Sequence, residues 1–166
     1  MIMKRLLTIL LTLVVIGSVA SAQTGLEINK AFGGKYAGNT DVSEVVMSGD
    51  QPYLRRHHLK SLAIFRGPAE SYASILQPLV LADGAKATAR DVRYSNGKLQ
   101  YAYFMLPSVE VDGKSVKRYI YYLNKECAHS NKRAKKSAHT KSPVILIYFE
   151  GNIGRERAAS IINSSL

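Results

Sequence analysis

Hydrophobic residues recur along this chain with two periods, one typical of helices and the other of strands. After Pro68, four apolar residues occupy one helical face at the i, i+3, i+4 and i+7 positions: Tyr72, Ile75, Leu76 and Leu79. Proline suits the first turn of a helix because its missing N–H needs no partner there. The pattern predicts a helix that ends at Asp83-Gly84, with a kink at Pro78 or an early end near Gln77.

Two further helices are predicted, one near each end of the chain. Residues 26–36 place apolar side chains four positions apart, although Gly33-Gly34 weakens this helix. A closing helix is predicted from Ile153, and its apolar positions include Ala158, Ile161 and Ile162.

Runs of β-branched and aromatic residues predict six strands. The run from Val144 to Phe149 is apolar at every position, so we expect a central strand that is covered on both faces. Turn residues end each run, as at Asp112-Gly113. The other strands are Val42–Met47, Leu59–Phe65, the two that flank Asn96-Gly97, and Val116–Leu123.

The dipeptide Asn96-Gly97 predicts a two-residue type I′ hairpin turn, because both positions accept positive φ. Such a turn sets the register of the two strands. The expected pairs are Tyr94 with Leu99, Val92 with Tyr101, and Arg93 with Gln100. The first two pairs would then share one apolar face of the hairpin.

We therefore expect a fold of the α+β class: a single domain with a mostly antiparallel sheet of about six strands and two to three helices packed on one face. Runs of strands that follow one another along the chain favour antiparallel pairing. No long Gly/Ser-rich or Pro-rich linker and no internal repeat divides the sequence.

The first 22 residues have the three parts of a secretory signal peptide. Lys4 and Arg5 supply positive charge, residues 6–16 are apolar apart from two threonines, and Ala20-Ser21-Ala22 suits a signal peptidase. The apolar run is shorter than the about 20 residues that span a bilayer, which favours cleavage after Ala22 over a retained anchor. The sequence thus predicts export to the periplasm or the medium, with residues 23–166 as the processed domain and no transmembrane anchor.

Net charge indicates the kind of partner, and cysteine content excludes a disulfide within one chain. The formal net charge is +11, which favours anionic partners. Cys127 is the only cysteine, so no disulfide can form within one chain. It is an unbridged thiol, a buried small residue or a site for a bridge between chains.

The basic tract, residues 125–142, concentrates positive charge. Its only acid is Glu126, and its cations are Lys125, Lys132, Arg133, Lys135, Lys136 and Lys141. Because it has almost no apolar content, we predict a mobile, solvated loop insertion that is dispensable for folding. These six residues are the candidate anion-binding site, for lipid phosphate, acidic polysaccharide or nucleic acid, and the alternative is a solubilising insertion without a partner.

A second basic group lies between Arg55 and Lys60 and includes His57 and His58. In an extended segment these two histidines point to opposite faces, so they could not share a metal ion. Four other cations would enlarge this group if the fold brought them together, which the sequence leaves open: Arg90, Arg93, Lys117 and Arg118.

No motif predicts catalysis, a metal or a cofactor. Cys127, His129 and His139 are too few for a closed zinc site, which needs about four ligands, and no serine lies in a G-x-S-x-G motif. The strand tyrosines fit packing on a half-buried sheet, the alternative being a platform that stacks sugars or bases. They are Tyr94, Tyr101, Tyr103, Tyr119, Tyr121 and Tyr122.

Several segments together resemble a family of small exported bacterial envelope domains of unknown function. The matching segments are 83–86, 94–99, 104–107 and 146–151, the last followed by a helix. The likeness extends over roughly residues 26–163 and consists of turns and strands, so it implies a fold and an envelope location but no catalytic residues. The basic tract departs from the family's pattern, which has a short turn there.

These observations favour an exported, non-enzymatic binding or accessory protein of the bacterial cell envelope. Its expected partner is an envelope protein or an anionic polymer or surface. The alternative is an anionic-surface binder that acts through the basic tract, and an enzyme is a third possibility. The sequence leaves the oligomeric state open.

Overall fold

The fold is described by a computed structural model that covers residues 25–129 and 142–165. In these segments six strands form one sheet: β1 (Ser43–Ser48), β2 (Leu59–Pro68), β3 (Ala89–Ser95), β4 (Lys98–Val111), β5 (Lys114–Asn124) and β6 (Pro143–Gly151). The same segments contain a 3₁₀ helix, Glu27–Ala31, and four α-helices: α1 (Pro52–His57), α2 (Ala69–Gly84), α3 (Lys125–His129) and α4 (Arg155–Ser165). The predicted α+β class and the single antiparallel sheet are confirmed.

Strand β6 lies at the centre of the sheet, whose strand order is β1-β2-β6-β5-β4-β3. It pairs with β2 on one side and with β5 on the other, antiparallel in both cases. Residues 144–151 are all buried, since strands cover both edges of β6 and helices cover both faces. The prediction that residues 144–149 form a central strand is confirmed.

Each face of the sheet has its own hydrophobic core. On one face, the α2 face, Leu146 and Tyr148 pack with residues of α2 and the 3₁₀ helix. On the other, the α4 face, Ile147 and Phe149 pack with residues of α1 and α4. The expectation that the helices pack on one face is therefore wrong. A central strand that is apolar at every position needs cover on both sides.

Helix α2 continues through Pro78 to its end, so the early end near this proline is not observed. Pro78 has no N–H, so the carbonyl oxygen of Ser74 lacks its usual helical donor. Both residues are exposed, and water can donate a hydrogen bond to that oxygen. Ile75, assigned by its spacing to the buried face, is 43% exposed. The residues of α2 that enter the core are Ala69, Tyr72, Leu76 and Val80.

The β3–β4 hairpin turns at Asn96-Gly97, with φ of 51° and 74°, and Tyr94 pairs with Leu99 as predicted. The backbone N–H of Leu99 donates to Oε1 of Gln77 on α2, at 3.1 Å. This hydrogen bond ties the hairpin to the helix.

One residue further from the turn, the register departs from the prediction. Gln100 forms a β-bulge, so Arg93 pairs with Tyr101 and not with Gln100. Val92 likewise pairs with Ala102 and not with Tyr101. As a result Val92 packs on the α2 face and Tyr101 on the α4 face, instead of sharing one apolar face.

Two elements close the described structure at its ends. The predicted N-terminal helix is a single 3₁₀ turn, whose first N–H groups, those of Glu27 and Ile28, donate to the two carboxylate oxygens of Asp83 at 2.9 Å each. Helix α4 begins at Arg155, two residues later than predicted. Its predicted apolar positions Ala158, Ile161 and Ile162 are buried. No helix among the described residues has both the length and the apolar character to cross a membrane.

Candidate functional site

The strongest candidate site lies where α1 meets the start of β2. Helix α1 buries one side chain, Leu54, in the core of the α4 face. His58 then turns the chain into β2 with a left-handed φ of 57°. A helix this short exposes most of its side chains, so the adjacent residues Arg55 and Arg56 lie on the surface.

Gly151, near the end of β6, allows this turn to lie directly on the sheet. A Cβ atom at position 151 would stand 2.4 Å from the carbonyl oxygen of His58 and 2.9 Å from the Cα atom of Leu59. Both neighbours are backbone atoms, so no side-chain rotation could relieve the overlap. The turn between α1 and β2 is therefore held against β6 by close backbone contact.

The same glycine brings Lys117 of β5 beside this turn. Gly151 pairs with Leu59 on β2 and with Lys117 on β5, so the three residues form one row across the sheet. Tyr119, two residues further along β5, belongs to the core of the α4 face, and alternation places Lys117 on that face. With strands about 4.8 Å apart, the Cα atom of Lys117 lies roughly 10 Å from that of Leu59. We define the basic corner as Arg55, Arg56, His58, Lys60 and Lys117.

The charge of the basic corner is only partly neutralised. Nη1 of Arg55 lies 3.1 Å from Oδ2 of Asp50, in an exposed ion pair that contributes little to stability. None of the ion pairs within residues 25–129 and 142–165 involves Arg56, Lys60 or Lys117. All three are exposed. The corner is therefore a positively charged surface.

An aromatic ring accompanies this charge. Tyr53 on α1 is 37% exposed, and its ring packs on the ring of His57 with centroids 4.4 Å apart. Arg56 follows Tyr53 by three residues on the same helix, a spacing that places the two side chains on one side of it.

Of the four distant cations that the sequence left open, Lys117 reaches the basic corner. Arg118 follows it on β5 but points to the α2 face, and its Nε donates to the carbonyl oxygen of Pro107 at 2.9 Å. Arg90 and Arg93 lie on β3, an edge strand three positions away from β6. The fold thus builds a smaller basic surface than the sequence allowed.

The basic tract is described only at residues 125–129 and at Ser142. Lys125 begins α3, and five of the six predicted anion-binding residues lie outside the described residues: Lys132, Arg133, Lys135, Lys136 and Lys141. Residues 125–129 form a helix, where a solvated loop was predicted. Its anchors are Cys127, which is only 6% exposed, and Asn124, whose Oδ1 accepts the N–H of Glu126 at 3.0 Å. Lys125 follows the last residue of β5, whereas Lys117 lies near the start of that strand, so the tract begins away from the basic corner.

An open pocket of about 190 Å³ lies between the β3–β4 turn and α3. Its lining residues are Ser95, Asn96, Lys98, Glu126 and Cys127. Burial, with a further contribution from Glu126, raises the pKa of the Cys127 thiol. A raised pKa disfavours the thiolate, so the pocket offers no activated nucleophile at this residue.

Of the three possible metal ligands of the basic tract, only Cys127 has a side chain that the structure describes. Within residues 25–129 and 142–165, no group of three or more His, Cys, Asp or Glu side chains is arranged to hold a metal ion. His139 lies outside these residues.

Tyrosines of β4 and β5 pack against one another on the α4 face. Tyr119 stacks on Phe149 with ring centroids 5.0 Å apart, and Tyr101 meets Tyr121 edge-on at 5.5 Å. The Tyr119 hydroxyl donates to the carbonyl oxygen of Ile153 at 3.1 Å. Burial raises the pKa of Tyr121 to about 12, and the nearby Tyr101 adds to this shift. These contacts agree with a packing role for Tyr101, Tyr119 and Tyr121.

A buried polar cluster on the α2 face was not identified from the sequence. The Tyr148 hydroxyl donates to Oε2 of Glu150 at 3.0 Å, and both residues are buried. Burial and the Glu150 carboxyl raise the pKa of Tyr148. Ser61 pairs with Glu150 across the sheet, and its buried hydroxyl makes no hydrogen bond within the described residues. The sequence contains one signal of this cluster: the acidic residue Glu150 directly follows the apolar run 144–149.

The described residues thus define an α+β domain with two covered sheet faces and an exposed basic corner. Residues 15–162 match the model of a family described as a family of unknown function, DUF6108. The match spans most of the chain, so the chain belongs to this family. No curated protein and no solved structure gives a significant match.

Proposed function

We propose that this protein is an exported, non-enzymatic binding or accessory protein of the bacterial cell envelope. The observation that carries the binding role is the basic corner. It displays Arg56, Lys60 and Lys117 outside every ion pair of the described residues. Exposed charge of one sign attracts partners of the other sign and does little for the fold itself. The expected partner is an envelope protein with an acidic surface or an anionic polymer or surface.

Export is supported by the N-terminal sequence. A short basic segment, an apolar run and Ala20-Ser21-Ala22 follow one another in the order of a secretory signal peptide. Residues 1–22 lie outside the described residues. The resemblance to exported envelope domains points to the same compartment, the periplasm or the medium.

One route to catalysis is disfavoured in the described residues. Burial and Glu126 raise the pKa of Cys127, which disfavours the thiolate that a cysteine nucleophile needs. Turnover of a hydrolase substrate by the purified protein would contradict this part of the proposal.

Two measurements on the native host test the envelope role. Mass spectrometry of the purified protein should find Gln23 as its first residue, and fractionation should place the protein outside the cytoplasm. A tagged copy should then retain a defined partner from envelope extract but not from cytoplasmic extract. A chain that keeps Met1 and remains in the cytoplasm would refute the proposal.

A second candidate function is anion binding through the basic tract. The supporting observation is its composition, six cations with one acid between residues 125 and 142. Such a tract releases counterions when it binds a polyanion, so retention on heparin should fall steeply as salt rises. Substitution of its cations by glutamine tests this function, and unchanged retention would exclude it.

A further inference from the structure

We propose that the basic corner docks the protein onto the phosphate-bearing headgroups of an anionic lipid bilayer. The inference rests on the proposed envelope role and adds to it a surface and a class of partner. It uses Arg56, Lys60 and Lys117 with the ring of Tyr53, all within the described residues, and does not involve the basic tract.

The first argument is the arrangement of charge. Three separate segments supply the cations: α1, the start of β2, and β5. The backbone contact at Gly151 and the row of Leu59, Gly151 and Lys117 hold these segments side by side. Each lysine or arginine near an anionic bilayer increases affinity by about fivefold, so three such residues give on the order of 100-fold.

The second argument is the exposed ring. Tyr53 is one of three large hydrophobic residues that are exposed in the described part of the chain, and it lies on the same short helix as Arg55 and Arg56. Tyrosine suits the headgroup layer, because its ring enters the apolar boundary while its hydroxyl stays in water. An exposed tyrosine on a helix that also carries cations is therefore expected at a lipid surface.

The third argument is that the surface is already formed. Leu54 is fully buried, and the backbone of His58 rests on Gly151, so binding does not have to order the turn. The cations lie exposed on α1, the start of β2 and β5. A polyanion chain is bound better by a groove that follows its backbone, which favours lipid over polysaccharide or nucleic acid.

Co-sedimentation with vesicles tests the proposal. The protein is purified from its native host, so that it carries the N-terminus it has there. Its binding is measured on phosphatidylethanolamine vesicles with and without phosphatidylglycerol. We expect binding only with phosphatidylglycerol. The triple variant Arg56→Gln, Lys60→Gln, Lys117→Gln should lose affinity on the order of 100-fold. Its melting temperature should equal that of the unsubstituted protein, because the three side chains are exposed.

A matched control separates the surface from net charge. The variant Arg66→Gln, Lys86→Gln, Arg90→Gln removes three exposed cations that lie away from the corner. It should bind vesicles within about twofold of the unsubstituted protein. Equal losses in the two triple variants would overturn the docking surface and leave only a general effect of charge.

Two further readouts sharpen the result. Tyr53→Ser should weaken vesicle binding several-fold, and Tyr53→Trp should retain it, since tryptophan also favours the interface.

Binding to heparin or duplex DNA that needs the corner, without binding to phosphatidylglycerol vesicles, would overturn the lipid proposal. Partner capture from envelope extract would still test the proposed function independently in that case.

Discussion

The two faces of the central sheet are stabilised in different ways. The long helix α2 covers the α2 face together with the 3₁₀ helix, and the polar residues Asp83 and Glu150 are buried there. Two separate helices, α1 and α4, cover the α4 face with aliphatic side chains, and the turn after α1 meets β6 through backbone contact. The first face is a closed core. The second also supports the basic corner, because the turn that carries the cations rests on β6.

This difference indicates where function can be changed without loss of the fold. Asp83, Tyr148 and Glu150 on the α2 face are buried and hydrogen-bonded, so removal of these polar groups should lower stability first. The cations on the α4 side are exposed and unneeded for packing, so their removal should leave stability unchanged. Surface binding and folding therefore depend on different residues.

The largest expected effect is that of Gly151→Ala. The new Cβ would overlap the backbone of His58 and Leu59, at 2.4 and 2.9 Å, and the turn would have to move away from β6. We expect a loss of about 3 kcal/mol in the free energy of unfolding, measured by urea denaturation. Gly154→Ala is the matched control, because nothing lies within 4 Å of its added Cβ. Equal stability of both variants would show that the contact at Gly151 is not tight.

Gly84→Ala tests close packing on the α2 face. Its Cβ would stand 2.4 Å from ring carbons of Phe104, a buried side chain. We expect a loss of about 2 kcal/mol in the free energy of unfolding. This overlap involves a side chain, so adding Phe104→Leu should relieve part of it, and the double variant should lose less than the sum of the two single losses. Strict additivity would contradict the contact.

Asp83→Asn tests the polar anchor of the same face. The two carboxylate oxygens each accept one N–H, from Glu27 and Ile28. An amide has a single oxygen, so one buried N–H would face an NH₂ group and lose its acceptor. We expect a loss of about 1.5 kcal/mol in the free energy of unfolding and faster hydrogen exchange at Glu27 or Ile28. Exchange that is unchanged at both amides would show that the 3₁₀ turn does not depend on Asp83.

Tyr119→Phe tests the polar contact on the α4 face. The variant keeps the stacked ring and removes only the hydrogen bond to the carbonyl oxygen of Ile153, just before α4. We expect a loss of about 1 kcal/mol in the free energy of unfolding. Tyr94→Phe is the control, because Tyr94 is 56% exposed and should show no change. A loss as large as that of Asp83→Asn would mean that this face depends on polar contacts as much as the other.

The elements that could be predicted from the sequence are those fixed by local pattern. Strand β6 follows from an apolar residue at every position, and the turn at Asn96-Gly97 follows from two residues that accept positive φ. The bulge at Gln100 could not be predicted. It belongs to a hairpin whose Leu99 N–H donates to Gln77, a contact between distant segments.

The candidate site shows the same limit. The run from Arg55 to Lys60 is evident as a basic group, but its extension to Lys117 depends on the strand order β2-β6-β5. Neither periodicity nor composition determines that order. The persistence of α2 through Pro78 is likewise a tertiary effect, since Leu76 and Val80 are fully buried on either side of the proline.

The smallest expected effect on stability belongs to neither face: it is the replacement of residues 130–141 by a short Gly-rich turn. The replacement begins after α3 because Cys127 of that helix is buried and packs with the fold. Loop closure entropy changes by only about 0.6 kcal/mol for each doubling of loop length, so we expect a nearly unchanged melting temperature. If the basic tract binds anions, the variant should lose retention on heparin but keep the vesicle binding of the basic corner. A same-length control with glutamine at the tract's five cations within residues 130–141 separates charge from length. A large fall in melting temperature for the shortened chain alone would show that the tract is part of the fold.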